Sequence, residues 1–576
     1  MGYYILPPFL CLCSQILIWG AVAISERTQL VKKAKSYLIT FTSSATSCLV
    51  HLGYYGLILV RSYENIYSNN HGITTLTNYK TSSLTFPYIY IMKKAIFFLG
   101  LILAIFIGAT LNQNPERPNV LLLYMDDLRP ELGSFGALQI HSPNIDSFAK
   151  KGIKFTNAYC NIPVCGASRA SMLTGMLPTK NRFLNYNTFV EKETQEAITL
   201  PELFKTNGYT TISNGKIYHH LDDRKSDWDE IWRPHAFDEN RDDLAPTDYW
   251  QSLWKDYQNQ DNRSRYQITD NGPAYECSEV SDYTYIDGLL TLKVIRDIEK
   301  LKKANKPFFL TAGFISNHLP FNAPKKYWDL YERDLIEQPE NFNYIPKGAP
   351  NMSISNWPEM RAYSNIPKQG QVSDSVAIDL MHGYYATVSY VDALIGKILD
   401  KLKEQKLDHN TIVILVSDHG YNLQEHTQWA KFTSYNTSTQ VPLVIYNPFS
   451  KAKGTTNALT SLVDIYPTIA ELCGLGVPEN QLDGTSLAPV LNNPNLIGKS
   501  HVFIKKTKAF TIKTKDFSYT EFINPEDNTI IDKMLYDHRI SKVENVNIAN
   551  KVEFENTVSE LSYILHSEYK KNIIGF

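Results

Sequence analysis

Four short apolar runs, each followed by polar side chains, dominate the pattern from residue 118 onwards. Residues 119–125 (NVLLLYM), 307–314 (PFFLTAGF) and 411–417 (TIVILVS) are continuously apolar, as expected of strands buried on both faces. A shorter run, 209–213 (YTTIS), predicts a fourth strand. Residues 377–404 carry apolar positions at three- and four-residue steps, which predicts a long amphipathic helix. The pattern indicates an α/β fold with a large mixed or mostly parallel sheet flanked by helices.

Each of these runs ends at side chains that can bind ions or move protons. In chain order they are Asp126, Asp127, Lys216, His219, Asn317, His318, Asp418 and His419. One polar residue leaving a strand has an ordinary explanation, but four such strand ends together favour a site. Ligands bind beyond the carboxyl ends of strands in open α/β sheets, so these strand ends are where we expect a ligand to bind.

The pattern changes after about residue 497. Residues 501–506, 509–514 and 517–523 resemble short strands of a meander, and "MLYDHR" and a helical tail over 554–573 follow. We therefore expect a catalytic α/β domain over 118–496 and a smaller C-terminal α+β subdomain over 497–576.

Composition narrows the classes of function only slightly. The 576 residues carry a formal net charge of -2, so there is no whole-chain basic signature for nucleic acid. The 36 tyrosines and 26 phenylalanines offer apolar faces for sugar rings, although aromatic residues also fill cores.

A secretory signal peptide is predicted over 92–109. Met92-Lys93-Lys94 precedes an uncharged apolar run, 95–109, that ends in the small residue Ala109, after which we expect cleavage. The run is shorter than the roughly 20 residues of a membrane span. These features predict a periplasmic or secreted protein. Since a signal peptide should begin a protein, we expect residues 1–91 to be a spurious extension; the alternative is a genuine membrane-anchoring leader.

The carboxylates of Asp126, Asp127 and Asp418 predict a metal site. Hard oxygen ligands favour Ca²⁺ or Mg²⁺ over zinc, and the zinc motif HExxH is absent. An Asp-Asp pair alone is weak evidence because aspartate often caps helices. Its weight comes from the matching Ser-Asp-His-Gly at another strand end.

Cys165 begins the segment CGASRASMLTG, 165–175, at what we predict to be a helix start. It is one of four cysteines after the leader, which is too few for a disulfide scaffold. Cys165 could be a small buried side chain, half of a disulfide with Cys160, or a thiol nucleophile. No neighbouring residue supplies the histidine base that the last interpretation needs.

This segment resembles the signature of type I sulfatases, a formylglycine-dependent family of the alkaline-phosphatase-like superfamily. "NVLLLYMDDLRPELGSFG", "GKIYH" and "SDHGYNLQEHTQWAK" resemble further elements of that family, in the same order, and the similarity spans about 118 to 560. The DDLRP and WAK forms and "MLYDHRISKVENVNIAN" are similar to the iduronate-2-sulfatase-like branch. Ala167 stands where many members have proline, a departure that bears on the efficiency of modification.

The resemblance implies a set of roles for residues of this chain. Cys165 would be converted to Cα-formylglycine (3-oxoalanine) by a formylglycine-generating or anaerobic sulfatase-maturating enzyme. Ca²⁺ would be bound by Asp126, Asp127, Asp418, His419 and the modified residue 165. Arg169 would hold that residue, Lys216 and His219 would contact its hydroxyls, and His318 and Lys431 would face the sulfate and the leaving oxygen. The adjacent His220 leaves open which imidazole points inward, and the G-K-x-x-H match favours His219.

The expected function is that of an exported, calcium-dependent sulfatase acting on a sulfated oligo- or polysaccharide. The branch resemblance implies a uronate or related 2-O-sulfate in a glycosaminoglycan or in algal ulvan. Specificity would reside in variable loops such as 222–275. The alternatives are a phosphatase or phosphodiesterase of the related superfamily and a non-catalytic binder of sulfated glycans in which Cys165 stays unmodified.

Overall fold

The computed structural model describes residues 117–220, 222–233, 256–269, 271–355, 358–524 and 526–574. The predicted signal peptide at 92–109, the extension at 1–91 and much of the predicted specificity loop, 234–255, lie outside the described residues. In the part that is described, no helix is both long and apolar enough to cross a membrane.

An eight-stranded sheet forms the centre of the fold, and β1 (Asn119–Met125), the first strand of the chain, lies in its middle. The other strands of this sheet are β2 (Ile153–Phe155), β4 (Thr210–Gly215), β5 (Glu230–Trp232), β7 (Phe308–Gly313), β9 (Thr411–Ser417), β12 (Leu443–Tyr446) and β13 (Gly454–Thr456). Their order is β13-β2-β12-β9-β1-β7-β4-β5. β12 pairs antiparallel with both its neighbours, and the remaining pairs are parallel. The predicted mixed, mostly parallel sheet is confirmed.

Both faces of β1 are buried, which explains its unbroken apolar sequence. Leu121 and Leu123 point into a core that contains the two longest helices, α6 (Ile286–Ala304) and α8 (Asp374–Glu404). Val120 and Leu122 point into a second core on the opposite face, shared with α2 (Cys165–Thr174), α4 (Leu200–Thr206) and α10 (Ile465–Leu472). Alternate side chains of a strand point to opposite faces, so this strand must be apolar throughout.

The predicted long helix is observed as α8, which begins three residues earlier than expected. Ser373 caps it by accepting a hydrogen bond from the backbone N–H of Val376. The other helices are α1 (Pro143–Ala149), α3 (Val190–Glu193), α5 (Gln260–Thr269), α7 (Lys325–Trp328), α9 (Asn436–Thr439), α11 (Ala488–Asn492) and α12 (Glu555–Ile564). Short two-stranded pairs are formed by β3 (Ala158–Tyr159) with β14 (Thr460–Ser461), β6 (Tyr275–Ser278) with β8 (Phe321–Pro324), and β10 (Asn422–Leu423) with β11 (Trp429–Ala430).

A second, antiparallel sheet lies near the C-terminus. It consists of β15 (His501–Lys506), β16 (Ala509–Thr514), β17 (Phe517–Ile523) and β18 (Ile530–Asp537), in sequence order. Helix α12 and the π-helical segment Leu565–Ile574 cover one face of this sheet. The predicted meander and helical tail are confirmed, whereas the domain boundary at 496/497 stays a prediction.

Candidate active site

The carboxyl ends of β1 and β9 bring together the residues predicted to bind metal. These strands are adjacent and in register, with Met125 opposite Ser417, so Asp126 and Asp418 leave the sheet side by side. The ligand atoms of Asp126, Asp127, Asp418 and His419 lie within 4.8 Å of one another, and all four residues are buried.

Cys165 is the first residue of α2, as predicted, and it borders this cluster. Its Sγ lies 3.3 Å from Nδ1 of His219, so folding supplies the imidazole that the neighbouring sequence lacks. His220 instead stacks on Phe189 with ring centroids 3.7 Å apart. Burial and the nearby His219 lower the pKa of His220 to about 4, so this second imidazole is neutral near pH 7.

The surroundings of Cys165 favour negative charge. Burial alone would raise the pKa of its thiol, but Lys216 and His219 outweigh burial and hold that pKa well below its usual range. The N-terminus of the ten-residue helix α2 adds partial positive charge at the same place. Position 165 is therefore suited to an anionic ligand or an oxyanion.

Arg169 ties three strand ends together from one turn further along α2. Its Nε donates to Oδ2 of Asp418 at 2.8 Å, and its Nη2 lies 3.3 Å from Oδ1 of Asp126. The guanidinium also donates to the backbone carbonyls of Met125, at 3.1 Å, and Lys216, and it lies over the ring of Tyr124. A planar group with five donors suits this arrangement of acceptors better than a lysine would.

Lys216 directly follows β4. It reaches the same cluster because the ends of β4 and β7 approach each other closely. A Cβ on Gly313 would lie 2.2 Å from the carbonyl oxygen of Lys216, so only glycine fits at the end of β7. The ammonium of Lys216 then lies 2.5 Å from Oδ2 of Asp126. Despite burial, Lys216 and Arg169 hold the pKa of the Asp126 carboxyl well below its usual range.

The cluster fits a bound cation on two grounds. Nε2 of His419 is buried and makes no hydrogen bond, although it lies 3.4 Å from Asp127 and 3.8 Å from Asp418. Burial raises the pKa of Asp127, and it raises that of Asp418 to about 7, because the local cations do not fully compensate these carboxylates. Three carboxylates and one imidazole form a donor set that suits a divalent ion.

His318 and Lys431 both approach the carboxylate of Asp127. Nζ of Lys431 lies 2.9 Å from Oδ2 of Asp127, and Nε2 of His318 lies 3.9 Å from the same oxygen. Lys431 is flanked by Ala430 and Phe432, whose φ angles of 64° and 71° are unfavourable for residues with a side chain. Such backbone strain is common where a structure holds a functional group in place.

All ten predicted site residues therefore come together at one edge of the sheet, and their individual roles stay predictions. The disulfide between Cys160 and Cys165, one of the alternatives left open by the sequence, is not formed: among the described residues Cys160, Cys165, Cys277 and Cys473 are free thiols.

Three residues of the site were not assigned a role from the sequence. Glu359 contacts both His318 and Lys431 through its carboxylate. Ser168 donates its hydroxyl proton to the carbonyl of Asp418, at 2.5 Å. Tyr186 lies at the mouth of the site and is 44% exposed, with its ring centroid 6.1 Å from that of His219. Only Ser168 carries a sequence signal, its place beside Arg169 in the cysteine motif.

Comparison with known proteins gives a consistent result. The family model "Sulfatase" matches residues 118–475, and the model "N-sulphoglucosamine sulphohydrolase, C-terminal" matches residues 424–571. The chain is 31% identical to iduronate 2-sulfatase of Mus musculus, over 64% of this chain and 70% of the relative. It is 27% identical to an ulvan-active sulfatase of Formosa agariphila, over 79% of this chain and 81% of the relative.

Among solved structures, a similar fold occurs in a protein in complex with its substrate D-glucosamine-2-N,6-O-disulfate. The TM-score is 0.63 at 23% identity, covering 79% of this chain and 99% of that chain. This likeness supports the fold assignment.

Proposed function

The chain belongs to the sulfatase family and is therefore a sulfuric ester hydrolase, and from this premise we propose that it releases sulfate from a sulfated carbohydrate. The proposed substrate is a uronate or related sugar 2-O-sulfate within a glycosaminoglycan or an algal ulvan. The observation that carries the proposal is the position of Cys165, at a helix N-terminus, beside a buried carboxylate cluster and three cationic side chains.

Two further observations support a carbohydrate substrate. Relatives at 27–31% identity are named iduronate 2-sulfatase and ulvan-active sulfatase. The exposed ring of Tyr186, beside His219, offers an apolar face of the kind on which sugar rings pack.

The proposed cofactors are Ca²⁺ and a formylglycine at position 165. Asp126, Asp127, Asp418 and His419 would hold the ion together with residue 165, and the ion would polarise the sulfate oxygens. The formylglycine, made by a maturating enzyme, would supply a hydrated aldehyde as the nucleophile.

The remaining steps fall to side chains of the chain itself. A sulfate ester is an anion and repels a nucleophile, so Arg169, Lys216 and Lys431 lower the barrier by offsetting its charge. His219, whose Nδ1 faces position 165, would accept the proton of the second hydroxyl there, which allows sulfate to leave and completes the turnover. As the ester S–O bond breaks, its electron pair passes to the sugar oxygen, which takes up a proton from His318.

We also propose that the protein is exported, on the basis of the leader at 92–109. N-terminal peptide analysis of the native protein tests this proposal. A mature terminus just after Ala109 supports it, whereas a mature protein that retains residues 92–109 contradicts it; a peptide from residues 25–80 would contradict the separate expectation that 1–91 is a spurious extension.

The proposed function is tested by sulfate release from defined sulfated oligosaccharides, with an aryl sulfate and an aryl phosphate in parallel. Wild-type protein should release sulfate from 2-O-sulfated uronate, and Cys165→Ala should release none while its circular dichroism is unchanged. Phosphate release alone, or an unmodified thiol with no sulfate release, would contradict the proposal.

A further inference from the structure

Glu359 contacts the two side chains that face the leaving oxygen in the proposed reaction. Its Oε1 lies 2.7 Å from Nε2 of His318, and its Oε2 lies 3.2 Å from Nζ of Lys431. Both partner side chains are 2% exposed, whereas that of Glu359 is 22% exposed. One carboxylate therefore bridges two buried cationic groups from the rim of the site.

The main chain that follows Glu359 is anchored in the core. Glu359 begins a short 3-10 turn, Glu359–Ala362, in which Met360 is buried in the main core. Tyr363, which follows the turn, is buried in the same core. The backbone that carries the carboxylate is therefore held by packing, so the side chain can fix its partners in turn.

The hydrogen bonds of His318 show how the imidazole is oriented. Nδ1 lies 2.7 Å from the backbone carbonyl of Leu319, which can only accept, so Nδ1 carries a proton. This bond sets the ring plane and leaves Nε2 as the atom directed at Glu359 and at Asp127. An ionised carboxylate at Nε2 likewise only accepts, so the geometry also keeps a proton on Nε2.

The charge state of Glu359 agrees with this geometry. Burial opposes its ionisation, but His318 and Lys431 outweigh burial and hold the pKa of the carboxyl well below its usual range. Glu359 is thus a carboxylate in the free enzyme.

We propose that Glu359 is a positioning residue, whose carboxylate fixes the His318 ring and the Lys431 ammonium side by side, so that the Nε2 proton donated to Glu359 in the free enzyme passes to the departing oxygen in the substrate complex. This inference rests on the roles given to His318 and Lys431 under the proposed function. Glu359 itself neither attacks the ester nor takes up a proton in the reaction. A positioning role of this kind matters most when the leaving group is basic, because only then does departure depend on protonation.

The test is a series of aryl sulfates whose phenols differ in acidity. Matured wild type and Glu359→Gln are compared by kcat/KM, normalised to the formylglycine content of each sample. We expect a loss of about 3-fold or less for 4-nitrophenyl sulfate, rising to about 30-fold for the least acidic phenol, which is less than the roughly 10²–10⁴-fold of general acid catalysis because the acid is displaced and not removed. The value of kcat/KM should therefore fall more steeply with increasing phenol pKa in the variant than in the wild type.

A matched control is Glu230→Gln, which removes another partly exposed carboxylate paired with two lysines, Lys293 and Lys300, away from the site. For Glu230→Gln, kcat/KM should depend on phenol pKa as it does in the wild type. A uniform loss across the series for Glu359→Gln, or no loss, would overturn the inference. If Glu359→Gln fails to fold, Glu359→Asp is judged by the same criterion, since its shorter side chain cannot span both partners.

The inference and the proposed function can fail separately. If wild type hydrolyses aryl sulfates but none of the saccharides, the proposed substrate is wrong, and the aryl series still decides the role of Glu359. If saccharides are hydrolysed, and kcat/KM depends on phenol pKa equally in wild type and Glu359→Gln, only the inference is wrong.

Discussion

Replacing Arg169 by lysine is the sharpest test of how the site is held together. Arg169 is fully buried and satisfies two carboxylates and two carbonyls at once: those of Asp418 and Asp126, and the backbone oxygens of Met125 and Lys216. A lysine at this position has one nitrogen on a flexible stem and can retain one of the carboxylates. Asp126 also pairs with Lys216, so a lysine that retains Asp126 leaves Asp418 buried without its main cationic partner.

The expected loss in the free energy of unfolding follows from that uncompensated charge. Breaking a buried ion pair by removing one partner costs about 3–5 kcal/mol. At about 2 °C of Tm per kcal/mol, the low end of the range for large domains, the apparent Tm should fall by about 6–10 °C. Activity should also be lost, because Arg169 faces the sulfate in the proposed mechanism.

The assay is thermal unfolding in chelator at a fixed scan rate, so that both proteins are compared without metal. The control is Arg182→Lys, in which a partly exposed arginine lies 3.9 Å from Asp483 and donates to the carbonyl of Leu177. That change should cost about 1 kcal/mol or less. A fall of less than about 2 °C for Arg169→Lys, matching the control, would refute the account of the cluster.

Three further outcomes are expected. Adding Ca²⁺ after chelation should raise the Tm, by an amount equivalent to about 4 kcal/mol at 1,000 times Kd, and Mg²⁺ should do so less; equal or absent shifts in calorimetry would contradict a calcium site. Gly166→Ala should lower both Tm and turnover, since the new Cβ would lie 2.2 Å from the carbonyl oxygen of Tyr186; a fully active, equally stable variant would contradict this packing. Lys513 and His538 outweigh burial and lower the pKa of Glu544 to about 2, so its contribution to stability is present above the unfolded value near 4.3 and is lost as pH falls towards 2. The Tm difference between wild type and Glu544→Gln should accordingly shrink between pH 4 and pH 2, and a constant difference would contradict the assignment.

The strands that carry the site could be predicted closely from the sequence. The observed bounds of β1 and β9 coincide with the apolar runs 119–125 and 411–417. A strand buried on both faces is apolar at every position, so its ends are marked by the first polar residues on either side. Residues at the ends of such strands share one edge, which is why the convergence of Asp126 and Asp418 could be expected.

The side-chain contacts that could not be predicted are made by residues in loops and turns. Glu359 lies in a 3-10 turn without apolar periodicity, 41 positions along the chain from His318, and only packing of that turn brings the two together. The G-K-x-x-H match favours His219 over His220, but the reason lies in the local geometry, since His220 turns away to stack on Phe189. Short-range sequence patterns carry no information about the contact between Glu359 and His318.

The central claim is that turnover depends on an aldehyde at position 165. The most direct measurement is the fraction of residue 165 present as formylglycine, by peptide mass spectrometry, set against the rate of sulfate release across preparations with different degrees of maturation. The account predicts a proportional relation through the origin. Sulfate release that is independent of the aldehyde fraction, or that persists with the unmodified thiol of Cys165, would contradict it.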